Sequence, residues 1–168
     1  MKISRWAVAL ALVVAAGLLT TVQASSATAA TFTAELIARH SQKCASVNGQ
    51  STANGAAVVQ WDCVNYPNQQ WQLTATSAGY YNIRAVNSGK CLSVAGASTA
   101  NGAKAVQWNC ANTPDQEWRL VQKDSGYFSI EARHSGKCLS VDGQSTANGA
   151  ELVQWDCVEY TNQHFRLG

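Results

Sequence analysis

The stretch Ser135-Gly136-Lys137-Cys138-Leu139-Ser140-Val141, running on to Gln163-His164-Phe165, decides the fold, because it occurs three times with small variations. Cys44, Cys91 and Cys138 are 47 residues apart. Cys63, Cys110 and Cys157 keep the same step, and so do Gln69, Gln116 and Gln163. A Ser-Thr-Ala-Asn-Gly segment recurs in register at Ser51, Ser98 and Ser145. No insertion or deletion interrupts the copies. A fixed period of this length marks a repeat architecture, in which one unit cannot bury its apolar face alone.

Each unit is poor in helix signals. In the third, Phe128 to Glu131 puts Phe128 and Ile130 on one face, and Leu139-Ser140-Val141 alternates. Leu152-Val153-Gln154-Trp155 is a third run, and Phe165-Arg166-Leu167 alternates again. Short runs with a period of two read as half-buried strands. The Gln144-Ser145-Thr146-Ala147-Asn148-Gly149 segment between them is turn chemistry, since Asn-Gly tolerates positive φ. The expectation is an all-β chain of three 47-residue, four-stranded repeats about a pseudo-threefold axis, a β-trefoil. Three blades of this size would not close a propeller. Four core rows follow from the repeat: Leu36, Ile83 and Ile130; Val47, Val94 and Val141; Trp71, Trp118 and Phe165; Leu73, Leu120 and Leu167.

The N-terminus reads differently. Lys2 and Arg5 precede an apolar run of 14 residues from Trp6 to Leu19, and Ala27-Thr28-Ala29 offers a small-residue cleavage site. This is the pattern of a secretory signal peptide over residues 1–30. The run is short for a membrane span, which needs about 20 apolar residues. The expected mature chain is residues 31–168, one domain with units at about 34–80, 81–127 and 128–168. It is expected to be secreted, monomeric and free of the membrane after cleavage.

Removing Lys2 and Arg5 leaves ten basic and ten acidic residues, a net charge of zero. No basic cluster of the kind a nucleic-acid binder uses is visible. Charged residues make up 13% of the chain, about half the usual share, and Asn, Gln, Ser, Thr and Gly replace them. Such a surface suits a neutral polar partner. Export places the six cysteines in an oxidising compartment. Of the fifteen possible pairings, symmetric pairing within each unit gives Cys44–Cys63, Cys91–Cys110 and Cys138–Cys157. Eighteen residues between cysteines is not a metal spacing, and neither a metal nor a cofactor is expected.

The order Lys-Cys-x-Ser-Val, Ser-Thr-Ala-Asn-Gly, Val-Gln-Trp-x-Cys and Gln-x-aromatic resembles the ricin-type β-trefoil lectin domain. The resemblance runs from about Ala34 to Leu167. The Gln-x-Trp signature is intact as Gln69-Gln70-Trp71 and Gln116-Glu117-Trp118, and becomes Gln163-His164-Phe165 in the third unit. It implies a carbohydrate-binding module for an oligosaccharide or polysaccharide, with a shallow sugar pocket in each unit. Carried over, Trp61, Trp108 and Trp155 are the ring-stacking positions. Asn68-Gln69, Asp115-Gln116 and Asn162-Gln163 are the polar pairs. The residues fit this role unaided, because a pyranose offers an apolar face to an aromatic ring and a hydroxyl rim to amides and carboxylates.

The chain departs from the family pattern in every unit. The family's Asp position holds Ser46, Ser93 and Ser140, weaker acceptors than a carboxylate. Two residues on, an extended strand presents Asn48, Ala95 and Asp142 to the same side. Val59, Val106 and Val153 replace the family's Gln before the aromatic, and Gln60, Gln107 and Gln154 follow on the opposite face. The second unit departs most, with Ala95 and Asp115. The three tryptophans are expected to stack on sugar rather than join the core, since Trp71, Trp118 and Phe165 already fill an aromatic row. The glutamines of these pairs can equally serve loop backbone, the asparagines less so. His40 and His134, repeat partners of Asn87, read as loop residues, and His164 as a surface residue.

An enzyme is not expected. Glycoside hydrolysis needs two carboxylates flanking one bond, and Asp62, Asp142 and Asp156 form no asymmetric pair in the sequence. The alternative is a trefoil that binds protein, such as a protease inhibitor. That would need one unique exposed loop, whereas these loops are alike.

Overall fold

A computed structural model of the chain describes residues 29–76 and 79–168. The expected signal segment therefore lies outside the described residues, but for Ala29 and Ala30. Among the described residues no helix is long and apolar enough to cross a membrane.

Each unit contributes four strands. The first has β1 (Thr31–Ala38), β2 (Cys44–Val47), β3 (Val58–Trp61) and β4 (Gln70–Ala75). The second has β5 (Tyr81–Ala85), β6 (Cys91–Val94), β7 (Ala105–Trp108) and β8 (Glu117–Gln122). The third has β9 (Phe128–Ala132), β10 (Cys138–Val141), β11 (Leu152–Trp155) and β12 (His164–Leu167). The strands lie where alternation predicts them in the third unit. The first and last strands of the units pair antiparallel in a ring, β1-β4-β5-β8-β9-β12 and back to β1, which closes a six-stranded barrel. The inner strands form three hairpins, β2-β3, β6-β7 and β10-β11. Bridges Ala57↔Val106, Lys104↔Val153 and Val59↔Glu151 join them. This is the β-trefoil that the repeat predicts.

Closure explains the core. The rows Leu36/Ile83/Ile130, Val47/Val94/Val141 and Trp71/Trp118/Phe165 are all buried. The buried indole N–H of Trp71 donates to the Ala45 carbonyl at 2.9 Å, and that of Trp118 to the Leu92 carbonyl at 2.9 Å. The fourth row differs: Leu73 is buried, but Leu120 and Leu167 are only partly so. Leu73 pairs with Phe32 across β1 and β4, and Phe32 packs edge-on against Tyr81 with 6.2 Å between ring centres. The repeat counterparts of Phe32 are Gly79 and Gly126, which offer no such cover.

The surface assignment of His164 is corrected by its 4% exposure. It opens β12 on the inner side of the turn, where Glu117 and Gln70 take partners: Glu117 pairs with Arg133, and Gln70 donates to Asn65 Oδ1 at 2.8 Å. His164 has only Glu159 at 3.5 Å. Burial depresses its pKa, partly opposed by Glu159 and reinforced by Arg39 and Lys123; Asp124 opposes weakly. The unfolded chain therefore takes the proton first as pH falls. Stability from this residue is present above about pH 6.5 and is lost below it as the folded-state pKa is approached. His164→Gln, which restores the first unit's residue, is expected to flatten the decline of the thermal midpoint between about pH 7 and pH 5. An unchanged slope in the variant would assign that decline to other groups.

Candidate functional site

Three equivalent hollows lie beside the hairpins, one per unit. The first, about 390 Å³, is lined by Ser46, Asn48, Trp61, Tyr66, Asn68 and Gln69 among others. The third unit's, about 350 Å³, has Ser140, Asp142, Trp155, Tyr160, Asn162 and Gln163. The second unit's, about 500 Å³, has Ser93, Ala95, Trp108, Thr113, Asp115 and Gln116. The fold therefore brings every sequence-predicted site residue to one of three hollows, in the unit expected for it.

The tryptophans are outside the core. Trp61, Trp108 and Trp155 end β3, β7 and β11 with 44%, 48% and 44% of their surface exposed. Each rests on another unit. A Cβ placed on Gly149 would lie 3.8 Å from the Trp61 ring, one on Gly55 3.4 Å from Trp108, and one on Gly102 3.7 Å from Trp155. These glycines take φ near +80° in the Asn-Gly turns, which the sequence reads only as loops.

The same turns clamp the residue after each tryptophan. Asn148 donates to Asp62 Oδ2 at 2.8 Å and accepts from the Asp62 backbone N–H at 3.1 Å. Asn101 does the same for Asp156, and Asn54 accepts from the Asn109 N–H. The Lys43 ammonium, and after it the Asn148 amide, hold the Asp62 carboxyl below the usual carboxylate range; Lys137 and Asn101 do this for Asp156. The buried amide of Gln60 reaches the carbonyls of Ser145 and Ala147 at 2.7 and 2.8 Å, and Gln107 and Gln154 make the equivalent cross-unit bonds. His40 and His134 also bind these turns through Nε2–H, donating to the carbonyls of Ser145 and Ser98, as the Asn87 amide does to Ser51. Each tryptophan is thus held by the turn of a different unit, in cyclic order.

The polar pairs divide. The Gln69 amide donates to the Asp62 carbonyl at 2.8 Å and accepts from the Val64 N–H at 2.8 Å. Gln116 and Gln163 repeat both bonds, and all three glutamines are almost fully buried. Their amides are consumed in fixing the loop after the tryptophan, so the glutamines form the base of the hollow rather than its reactive rim. The asparagines differ. Asn68 donates to Ser46 Oγ at 2.8 Å and to the Val47 carbonyl at 3.0 Å, which fixes the orientation of its amide, and Asn162 does the same with Ser140 and Val141. Their Oδ1 atoms are buried and have no partner among the described residues. In the second unit Asp115 takes the asparagine's place, and its Oδ2 accepts from Ser93 Oγ at 2.7 Å.

Asn48 and Asp142 are exposed and begin tight turns directly after β2 and β10, and each lines its unit's hollow. Sequence reasoning missed Tyr66 and Tyr160, which wall the first and third hollows; comparison of the units, Tyr66-Thr113-Tyr160, could have found them. Among the described residues, the first hollow is lined by no carboxylate and the other two by one each, Asp142 and Asp115. No two carboxylates therefore line one of these hollows among the described residues.

The sequence matches the family described as ricin-type beta-trefoil lectin domain-like, over residues 21–108, 67–155 and 114–168. None of the curated proteins matches it. Among solved structures it is similar to a designed threefold-symmetric protein, ThreeFoil, with 42% identity, 80% of this chain and 96% of that chain covered, and a TM-score of 0.79. It is also similar to an exo-beta-1,3-galactanase from Clostridium thermocellum, with 32% identity over 84% of this chain and a TM-score of 0.78. That likeness covers only 30% of the galactanase. A ricin B-like lectin of Macrolepiota procera, solved in complex with lactose, shares the fold at 19% identity, covering 81% of this chain and 94% of that one, with a TM-score of 0.71.

Proposed function

This chain belongs to the ricin-type beta-trefoil lectin domain-like family, and on that premise we propose that it is a secreted, non-catalytic protein that holds neutral glycans in the hollows of its first and third units. Membership supports carbohydrate binding as a class of activity. The finer reading rests on one observation: Trp61 and Trp155 keep an open ring face at the edge of a polar hollow while a neighbouring unit fixes their position. An indole so held loses little freedom when a pyranose stacks on it. The exposed side chain of Asn48 or Asp142 lines the same hollow and can exchange hydrogen bonds with sugar hydroxyls.

The absence of net charge on residues 31–168 argues for neutral sugars over sulfated or uronic ones. Secretion follows from the N-terminal pattern and suits the three disulfides. The test is an array of neutral and acidic glycans probed with the purified mature protein. β-1,3-galactan is included because a galactanase carries a similar segment. Binding confined to neutral glycans supports the reading. Binding to acidic glycans alone, or to none, contradicts it.

A further inference from the structure

Stacking on the tryptophans leaves Tyr66 and Tyr160 without a role. They are 53% and 58% exposed, the highest values among the large apolar side chains. Neither is a stray surface residue, because each lines the hollow that its unit's tryptophan also lines. Val64 and Val158 lie in the same hollows between tryptophan and tyrosine in sequence, and both are exposed. The first and third units thus carry an apolar strip of Trp, Val and Tyr, where the second has Trp108, Ala111 and Thr113.

The backbone is the same in all three. The N–H of Gln69 donates to the Tyr66 carbonyl at 2.8 Å, that of Gln116 to Thr113 at 2.9 Å, and that of Gln163 to Tyr160 at 3.0 Å. Thr113 has φ −94° and ψ 153°, and Tyr160 has φ −92° and ψ 142°. The units therefore differ at this place by side chain alone. One indole covers one pyranose. A second ring in the same hollow gives a ligand that extends past that first sugar a further surface to stack on, and its hydroxyl can exchange hydrogen bonds with sugar hydroxyls.

We propose that Tyr66 and Tyr160 are specificity-determining residues that make the first and third hollows sites for two or more consecutive sugars of one chain. The second hollow, with Thr113, lacks the second ring. This rests on the carbohydrate reading of the same hollows.

The test is calorimetry along ladders of defined length, galactose to β-1,3-galactotetraose and xylose to xylotetraose. The readout is the ratio of tetrasaccharide to monosaccharide affinity. For any series that binds, the wild type is expected to give a ratio of about tenfold, as one added stacking contact would. Tyr66→Ala with Tyr160→Ala is expected to bring it to about twofold, and the corresponding Phe variants to restore most of it. Both positions are exposed, so the variants should melt within a few degrees of wild type. A wild-type ratio near one, or a ratio that survives removal of both rings, overturns the proposal and leaves carbohydrate binding standing. Absence of binding to every ladder and to the glycan array overturns both.

Discussion

Trp155→Ala is expected to weaken glycan binding by about five- to tenfold, since an aromatic contact of this kind contributes roughly 1 kcal/mol or more. Trp61→Ala should cost slightly less, and Trp108→Ala little. The ranking follows from what surrounds each ring. The third hollow offers the exposed Asp142 carboxylate, and charge-assisted bonds to hydroxyls are stronger than neutral ones. The first offers the exposed Asn48 amide. The second has Ala95 at that place, which can make no hydrogen bond through its side chain. Trp61→Ala with Trp155→Ala should lower binding to short oligosaccharides below detection. The core keeps its own aromatic row, so these variants should remain folded. Calorimetry in which Trp108→Ala weakens binding more than Trp155→Ala, with both folded, would reverse the ranking.

Reduction of the three disulfides is expected to have the largest effect on stability. Cys44–Cys63, Cys91–Cys110 and Cys138–Cys157 each close a loop with a sequence separation of 19, and no described cysteine is free. A loop of this size contributes roughly 3 kcal/mol on the chain-entropy account. Three together are comparable with the entire stability of a domain, about 5–15 kcal/mol. The second cysteine of each bridge lies two residues after the tryptophan, so reduction also releases the loop carrying Val64–Tyr66 or Val158–Tyr160. Full reduction should leave the chain largely unfolded at physiological temperature. Replacing Cys138 and Cys157 by alanine should lower the thermal midpoint by roughly 10 °C. A fully reduced protein melting within a few degrees of the oxidised one would refute the bridges' weight.

The repeat made most of the fold legible. Twelve strands, the bridge pairing and three of four core rows follow from one period, because nothing interrupts it and symmetry removes the alternatives. Leu120 and Leu167 escaped because their cover depends on which residue lies across the strand pair: Phe32 for Leu73, but Gly79 and Gly126 by register for the others. His164 was misread because its repeat partners are polar, and polarity alone does not say that Glu117 is buried against Arg133. At the site, residue types at fixed spacing located the hollows. They favoured a structural role for Gln69 more than for Asn68, and the loop backbone does take up the Gln69 amide. The cross-unit turns were invisible for a deeper reason. Asn148-Gly149 and Trp61 are far apart in sequence, and only closure of the threefold ring brings them together.

The most direct measurement is a calorimetric titration of the mature protein with its tightest-binding short neutral oligosaccharide, at ionic strengths of about 0.01 M and about 0.15 M. The account predicts saturation at two ligands per chain, in the hollows of Trp61 and Trp155, with affinities that agree within about twofold between the two salts. No heat with any neutral glycan, or affinity that falls steeply with salt, would contradict it.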